Sequence, residues 1–109
     1  LKNKEQGRRT LADELDTVPL TLPALMRAQK LQKRAAGRGL GTQDAAQAAQ
    51  ELAQAERAWA EATPENAQER AGALLFAAAD SLRLAGVDAE EALGAASRRF
   101  SEKLKQENQ

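Results

Sequence analysis

Alanine fills 25 of the 109 positions, while Trp59, Phe76 and Phe100 are the only aromatic residues. Alanine gives up no side-chain entropy in a helix and leaves helix surfaces shallow enough for backbones to approach closely. A chain that is Ala-rich, Leu-bearing and 29% charged favours packed helices over sheet. The expected fold class is therefore all-α.

Length adds a second constraint. A single domain of this size buries a core with little margin, so oligomerisation is an expected way to cover apolar surface. The sequence has neither Cys nor His, which excludes thiol chemistry, a disulfide framework and any His/Cys zinc site. A metal would have to be hard and oxygen-bound, in practice magnesium or manganese. No apolar run approaches the ~18–20 residues needed to cross a bilayer, and no signal-peptide pattern is present. The expectation is a cytoplasmic protein with no membrane and no nucleic-acid partner. The chain opens on Leu1 in a charged segment, as a piece of a longer protein would.

Proline and glycine divide the chain. Residues 1–20 read as a charged linker and poorly ordered lead-in, and the domain proper as 21–109. Thr21 or Leu22 is expected to cap a first helix with Pro23 in its first turn, ending in the cluster Gly37, Gly39 and Gly41. Thr42 is expected to cap a second helix reaching about Ala62. Thr63-Pro64-Glu65 then reads as N-cap, N1 proline and first-turn acid of a third, which stops at Gly86. Asp88 with Glu91 forms a capping-box pattern for a fourth. Leu74, Leu75, Ala78, Leu82 and Ala85 are expected to form the buried stripe of the third helix, with Ala55, Ala58 and Ala62 opposite. Trp59 is expected to anchor the core or a dimer interface.

The charge is zero in sum but uneven. Residues 1–40 carry nine Lys/Arg against four Asp/Glu, and residues 41–96 carry three against ten. A basic helix beside acidic ones suits phosphates held beside a metal, and equally suits solvated faces paired with each other.

Order of motif now matters more than composition. The run ERAGALLFAAADSLRLAGVD, Glu69 to Asp88, resembles the second acidic helix of the MazG-type nucleoside triphosphate pyrophosphohydrolases, EELGDLLFALVNLARxLGVD. LPALMRAQKLQKRAAGRGL resembles the family's LPALLRAxKxQxRAxxxGF, and EEALGAASRRFSEKL its EEALRxANRKFxxRF. The lead-in resembles the link before the second half of two-domain MazG proteins. Apart from that lead-in, the resemblance covers about residues 20–104.

The resemblance implies a four-helix all-α unit paired into a helical-bundle dimer. It also implies hydrolysis of nucleoside triphosphate to monophosphate and pyrophosphate with Mg2+. The family's metal ligands come as ExxE on one helix and ExxD on the next, with an Asn or Asp beyond. Laid on this chain, those positions are Glu51 and Gln54, then Arg70 and Ala73, then Asp80. Two ligands are lost and one has become an amide, and an Arg directed into the site would bring fixed positive charge. On a 100° projection Glu69, Ala73, Phe76 and Asp80 fall within roughly 60°, so Glu69 is a candidate replacement beside Glu51 and Asp80. Lys30, Lys33 and Arg34 stand where the family's cations meet the triphosphate, and Arg99 keeps a cation in the last helix. Ser97 replaces the family's Asn, and the Trp that frames the nucleotide pocket is absent.

Three functions follow as expectations. The first is a MazG-like domain with an impaired site, kept as a dimerising or regulatory nucleotide-binding unit. The others are an active magnesium-dependent enzyme using Glu51, Glu69 and Asp80, and a helical protein–protein adaptor.

Overall fold

The computed structural model describes residues 10–109, and every structural statement below concerns them. Five helices follow one another, with no strand among the described residues: α1 (Leu11–Asp16), α2 (Ala24–Ala36), α3 (Ala45–Ala60), α4 (Ala67–Leu84) and α5 (Ala89–Glu107). Helix α1 corrects part of the expected lead-in; residues 1–9 of that linker lie outside the described residues. Its cause is local. The Thr10 hydroxyl accepts from the Asp13 amide at 3.0 Å and the Asp13 carboxylate from the Thr10 amide at 3.3 Å, a complete capping box. Val18, just beyond, is 2% exposed and pins the lead-in to the body.

The remaining boundaries shift by one to four residues. Pro23 itself caps α2, and Asp44 rather than Thr42 caps α3 by accepting from the Gln47 amide at 2.8 Å. Thr42 is drawn inward instead, toward the Glu51 carboxylate. The Thr63–Asn66 stretch makes one tight turn before α4, with the Asn66 side chain accepting from the Thr63 amide at 2.8 Å. Helices α2 and α4 both stop in Schellman geometry at glycines with φ near +75°, Gly39 and Gly86. Asp88 caps α5 by accepting from the Glu91 amide at 3.0 Å.

Helices α3 and α4 form an αα-hairpin with the most extensive contact in the fold; α2 lies against α4, α5 rests on α2 and α4, and α1 touches α2. The core is thin. Its buried apolar residues are Val18, Ala48, Ala79 and Ala89, and no large side chain is fully buried. Polar stitching does much of what a larger core would do. Gln29 Nε2 donates to the carbonyls of Ala79 (2.9 Å) and Val87 (3.1 Å), and its Oε1 accepts from the Ala89 amide at 3.0 Å. One turn on, Gln32 Nε2 donates to the Phe76 carbonyl at 3.0 Å.

The buried stripe expected on α4 is not the one found. Leu75 is 59% exposed, and Leu82, Trp59 and Phe76 are exposed as well. The line that turns inward is Ala79 and Asp80, because the α2 glutamines must reach the α4 carbonyls and only small or hydrogen-bonded residues allow that approach. Trp59 therefore does not anchor the core of a single chain. The molecule is long, 69 × 32 × 28 Å, with a radius of gyration of 17.7 Å where a compact chain of 100 residues has about 13 Å.

Candidate functional site

Along α3, residues 47, 51, 54 and 58 recur at helical spacing, as do 73, 76 and 80 along α4, so each set lies on one face. The hairpin turns these two faces toward each other and toward Gln32 of α2. Between them lies a groove of about 810 Å3, within the range of small-molecule sites. Its walls are largely Ala, Leu and Phe76. Its polar groups are Gln32, Thr42, Gln47, Glu51, Gln54 and Asp80.

Four of the positions singled out from sequence thus converge: Glu51, Gln54, Ala73 and Asp80 all line this groove. Two do not. Arg70 turns its guanidinium away and donates from Nη1 to the Ala58 carbonyl at 2.7 Å. Glu69 is exposed and outside the groove lining, one turn before Ala73 on the same face and beyond the end of the groove.

The two acids in the groove are already engaged. Asp80 is buried, and its Oδ1 accepts from Arg83 Nε at 2.8 Å; the two side chains are 9% and 15% exposed. Arg83 also donates from Nη2 to the Thr42 carbonyl at 3.0 Å. Thr42 in turn donates its hydroxyl to Glu51 Oε1 at 2.7 Å, while Gln47 Nε2 donates to Glu51 Oε2 at 3.2 Å. A continuous chain, Asp80–Arg83–Thr42–Glu51, therefore ties the loop before α3 to both acidic helices. This is why Thr42 is buried rather than capping a helix. Among the described residues no group of three or more acidic side chains is placed to hold a metal ion.

The cations lie elsewhere. Lys30, Lys33 and Arg34 border a separate hollow of about 300 Å3 with Glu14, Gly37 and Arg38. On a 100° projection this face of α2 is nearly opposite the one carrying Leu31, Gln32 and Ala35 into the groove. Arg38 pairs with Glu14 at 2.7 Å, an exposed contact worth at most about 1 kcal/mol. Arg99 sits apart on the outer half of α5, beside Arg98, Glu102 and Lys103. The arrangement that sequence suggested, cations and carboxylates around one point, is divided here between the two sides of α2.

Sequence reasoning missed Thr42, Gln47 and Arg83 as parts of the site. The i, i+3 spacing of Asp80 and Arg83 was a legible signal; the role of Thr42 needs the folded loop.

No family model matches the sequence. Two curated relatives do: the chain is 31% identical over 112 aligned positions to the nucleoside triphosphate pyrophosphohydrolases of Escherichia coli strain K12 and of Escherichia coli O157:H7. Each alignment covers 97% of this chain and 43% of the relative, so the chain spans less than half the length of the proteins it matches. Because each alignment spans nearly the whole chain, it takes in both the groove-lining helices and the basic helix.

Proposed function

We propose that this chain is a MazG-like domain whose pyrophosphohydrolase site is impaired, and that it serves as a dimerising or regulatory unit with residual nucleotide binding. One observation carries the reading. Of the five positions that the resemblance assigns to metal ligands, four line a single groove and Arg70 does not; only Glu51 and Asp80 supply acids there, and Asp80 is ion-paired to Arg83.

The fit to magnesium is poor on these donors. Mg2+ wants near-octahedral oxygen at about 2.0–2.1 Å and is generally brought to phosphates by free carboxylates. Asp80 is held by a guanidinium, Glu51 by a hydroxyl and an amide, and Ala73 offers nothing. What the groove offers is shape, an apolar wall and a hydrogen-bonding rim. The cationic face of α2 offers attraction for phosphate oxygens.

The long shape and the exposed apolar residues support the dimer, since a thin core in a chain this size leaves surface that a second copy can cover. Pyrophosphate release from a panel of nucleoside triphosphates, with magnesium or manganese present, tests the impairment. The expected result is no turnover above buffer. Turnover abolished by Glu51→Ala would overturn the reading and favour the active enzyme. Nucleotide binding is tested by thermal shift: a rise in melting temperature with triphosphate is expected, weakened by Lys30→Gln/Lys33→Gln. No shift with any nucleotide would leave the protein–protein adaptor as the better reading.

A further inference from the structure

Helix α5 carries an apolar line that no other described residue covers. Leu93, Ser97, Phe100 and Leu104 are spaced four, three and four residues apart, the a/d rhythm of a helix-pairing seam. Leu93 is 55% exposed, Phe100 67% and Leu104 43%. The outer half of this helix is exposed throughout from Ala96 to Glu107. The chain as a whole exposes 8008 Å2, where a compact protein of 11.7 kDa exposes about 5,900 Å2. The surplus exceeds the ~800 Å2 per partner that a stable interface buries.

We infer that two copies of this chain pair through α5 in antiparallel register, Leu93 facing the second copy's Leu104 and Ser97 facing its Phe100. This rests on the dimer reading above and gives that dimer its axis. The seam is self-complementary under a two-fold rotation: the same register that sets Leu93 against Leu104 sets the one small residue, Ser97, against the one large residue, Phe100. A two-fold interface requires that kind of match of a surface with itself. The flanking positions agree. They bring Gly94 against Ser101 and Ala96 against Lys103, so small residues permit close approach and the Lys103 stem covers an alanine. Glu107, at the end of the seam where it meets Glu90, is offset by Lys103 at 4.0 Å.

A parallel arrangement is disfavoured on two grounds. It would set the two α1–α4 bodies side by side at the same end of the seam, and it would align the basic outer halves, where Arg98, Arg99, Lys103 and Lys105 outnumber Glu102 and Glu107. Antiparallel pairing sets the bodies at opposite ends.

The absence of native cysteine makes the register directly testable. Leu93→Cys and Leu104→Cys are made separately, mixed, allowed to exchange subunits and oxidised with diamide. The mixture is expected to cross-link, because the facing positions fall within the ~7 Å Cα separation a disulfide needs. Each variant alone is expected not to, because like positions then lie about 16 Å apart along the helix. Separately, Phe100→Glu, a change at an exposed residue of the single chain, is expected to raise the dimer dissociation constant about a hundredfold or more by sedimentation, since two aromatic side chains are lost per dimer.

Cross-linking of each variant by itself would overturn the antiparallel register. A wild-type dimer that neither cross-links in the mixture nor responds to Phe100→Glu would overturn the α5 seam while leaving dimerisation intact. A wild-type chain that stays monomeric at high concentration would overturn both.

Discussion

Replacing Gln29 with methionine isolates how much of this fold is held by side-chain amides. Methionine keeps nearly the same length and apolar stem, so packing changes little while all three hydrogen bonds are lost. The heaviest loss is at the Ala89 amide. It lies in the first turn of α5, where no intrahelical acceptor exists, and Ala89 is 4% exposed. Leaving that donor buried and unpaired costs about 1–3 kcal/mol. The bonds to the Ala79 and Val87 carbonyls add about 0.5–1.5 kcal/mol each, the second at the low end because it is exposed. The total is about 3 kcal/mol, a large share of the 5–15 kcal/mol typical of a whole domain. Urea denaturation followed by helical circular dichroism, at fixed protein concentration, measures it. A melting temperature lowered by about 12–24 °C is the thermal equivalent. Gln32→Met is the control: it gives up one bond to Phe76 but also removes a buried Oε1 that has no partner, so the two terms offset and the change stays within about 1 kcal/mol. Should Gln29→Met cost less than 1 kcal/mol, or no more than Gln32→Met, the claim that amide stitching supplements the thin core is wrong.

Arg83→Met strands the buried Asp80 carboxylate and is expected to destabilise by about 2–4 kcal/mol, most of it recovered in Arg83→Met/Asp80→Leu; equilibrium unfolding of the single and double variants decides it. Gln54→Glu with Ala73→Asp places four acids in the groove and is expected to create magnesium or manganese binding visible by calorimetry; a silent titration would refute the ligand register assumed for α3 and α4. Leaving Arg70 unchanged in that variant keeps its bond to the Ala58 carbonyl. Val18→Ala removes the buried anchor of the lead-in and is expected to cost about 1–2 kcal/mol by the same unfolding assay.

Helix boundaries were legible wherever chemistry acts locally. Asp88 caps α5 and Gly86 ends α4 as the sequence suggests, because caps and left-handed glycines depend on neighbours three to five residues away. What sequence did not yield is which face of each helix turns inward. The Leu75–Leu82 line looks like a core stripe by apolarity, yet Ala79 and Asp80 take that place because glutamines 50 and 44 residues earlier bond to the α4 backbone. The groove itself was legible through spacing, since residues three or four apart share a face whatever the tertiary context. The direction of Arg70 and the separation of Lys30, Lys33 and Arg34 from the acids were not. A projection gives an angle about a helix axis, never the position of the next helix.

The two amides that bind α2 to α4 act as a register lock. Gln29 and Gln32 are three residues apart, as are the carbonyls of Ala79 and Phe76 that they grip, so α2 cannot slide or roll along α4 without breaking both bonds together. Motion of α2 is therefore all-or-none. The same rigid helix presents cations to one side and a groove wall to the other, which makes it a lever. An anion that displaced the cationic face would have to move Leu31, Gln32 and Ala35 in the same step, because all of them stand on one helix.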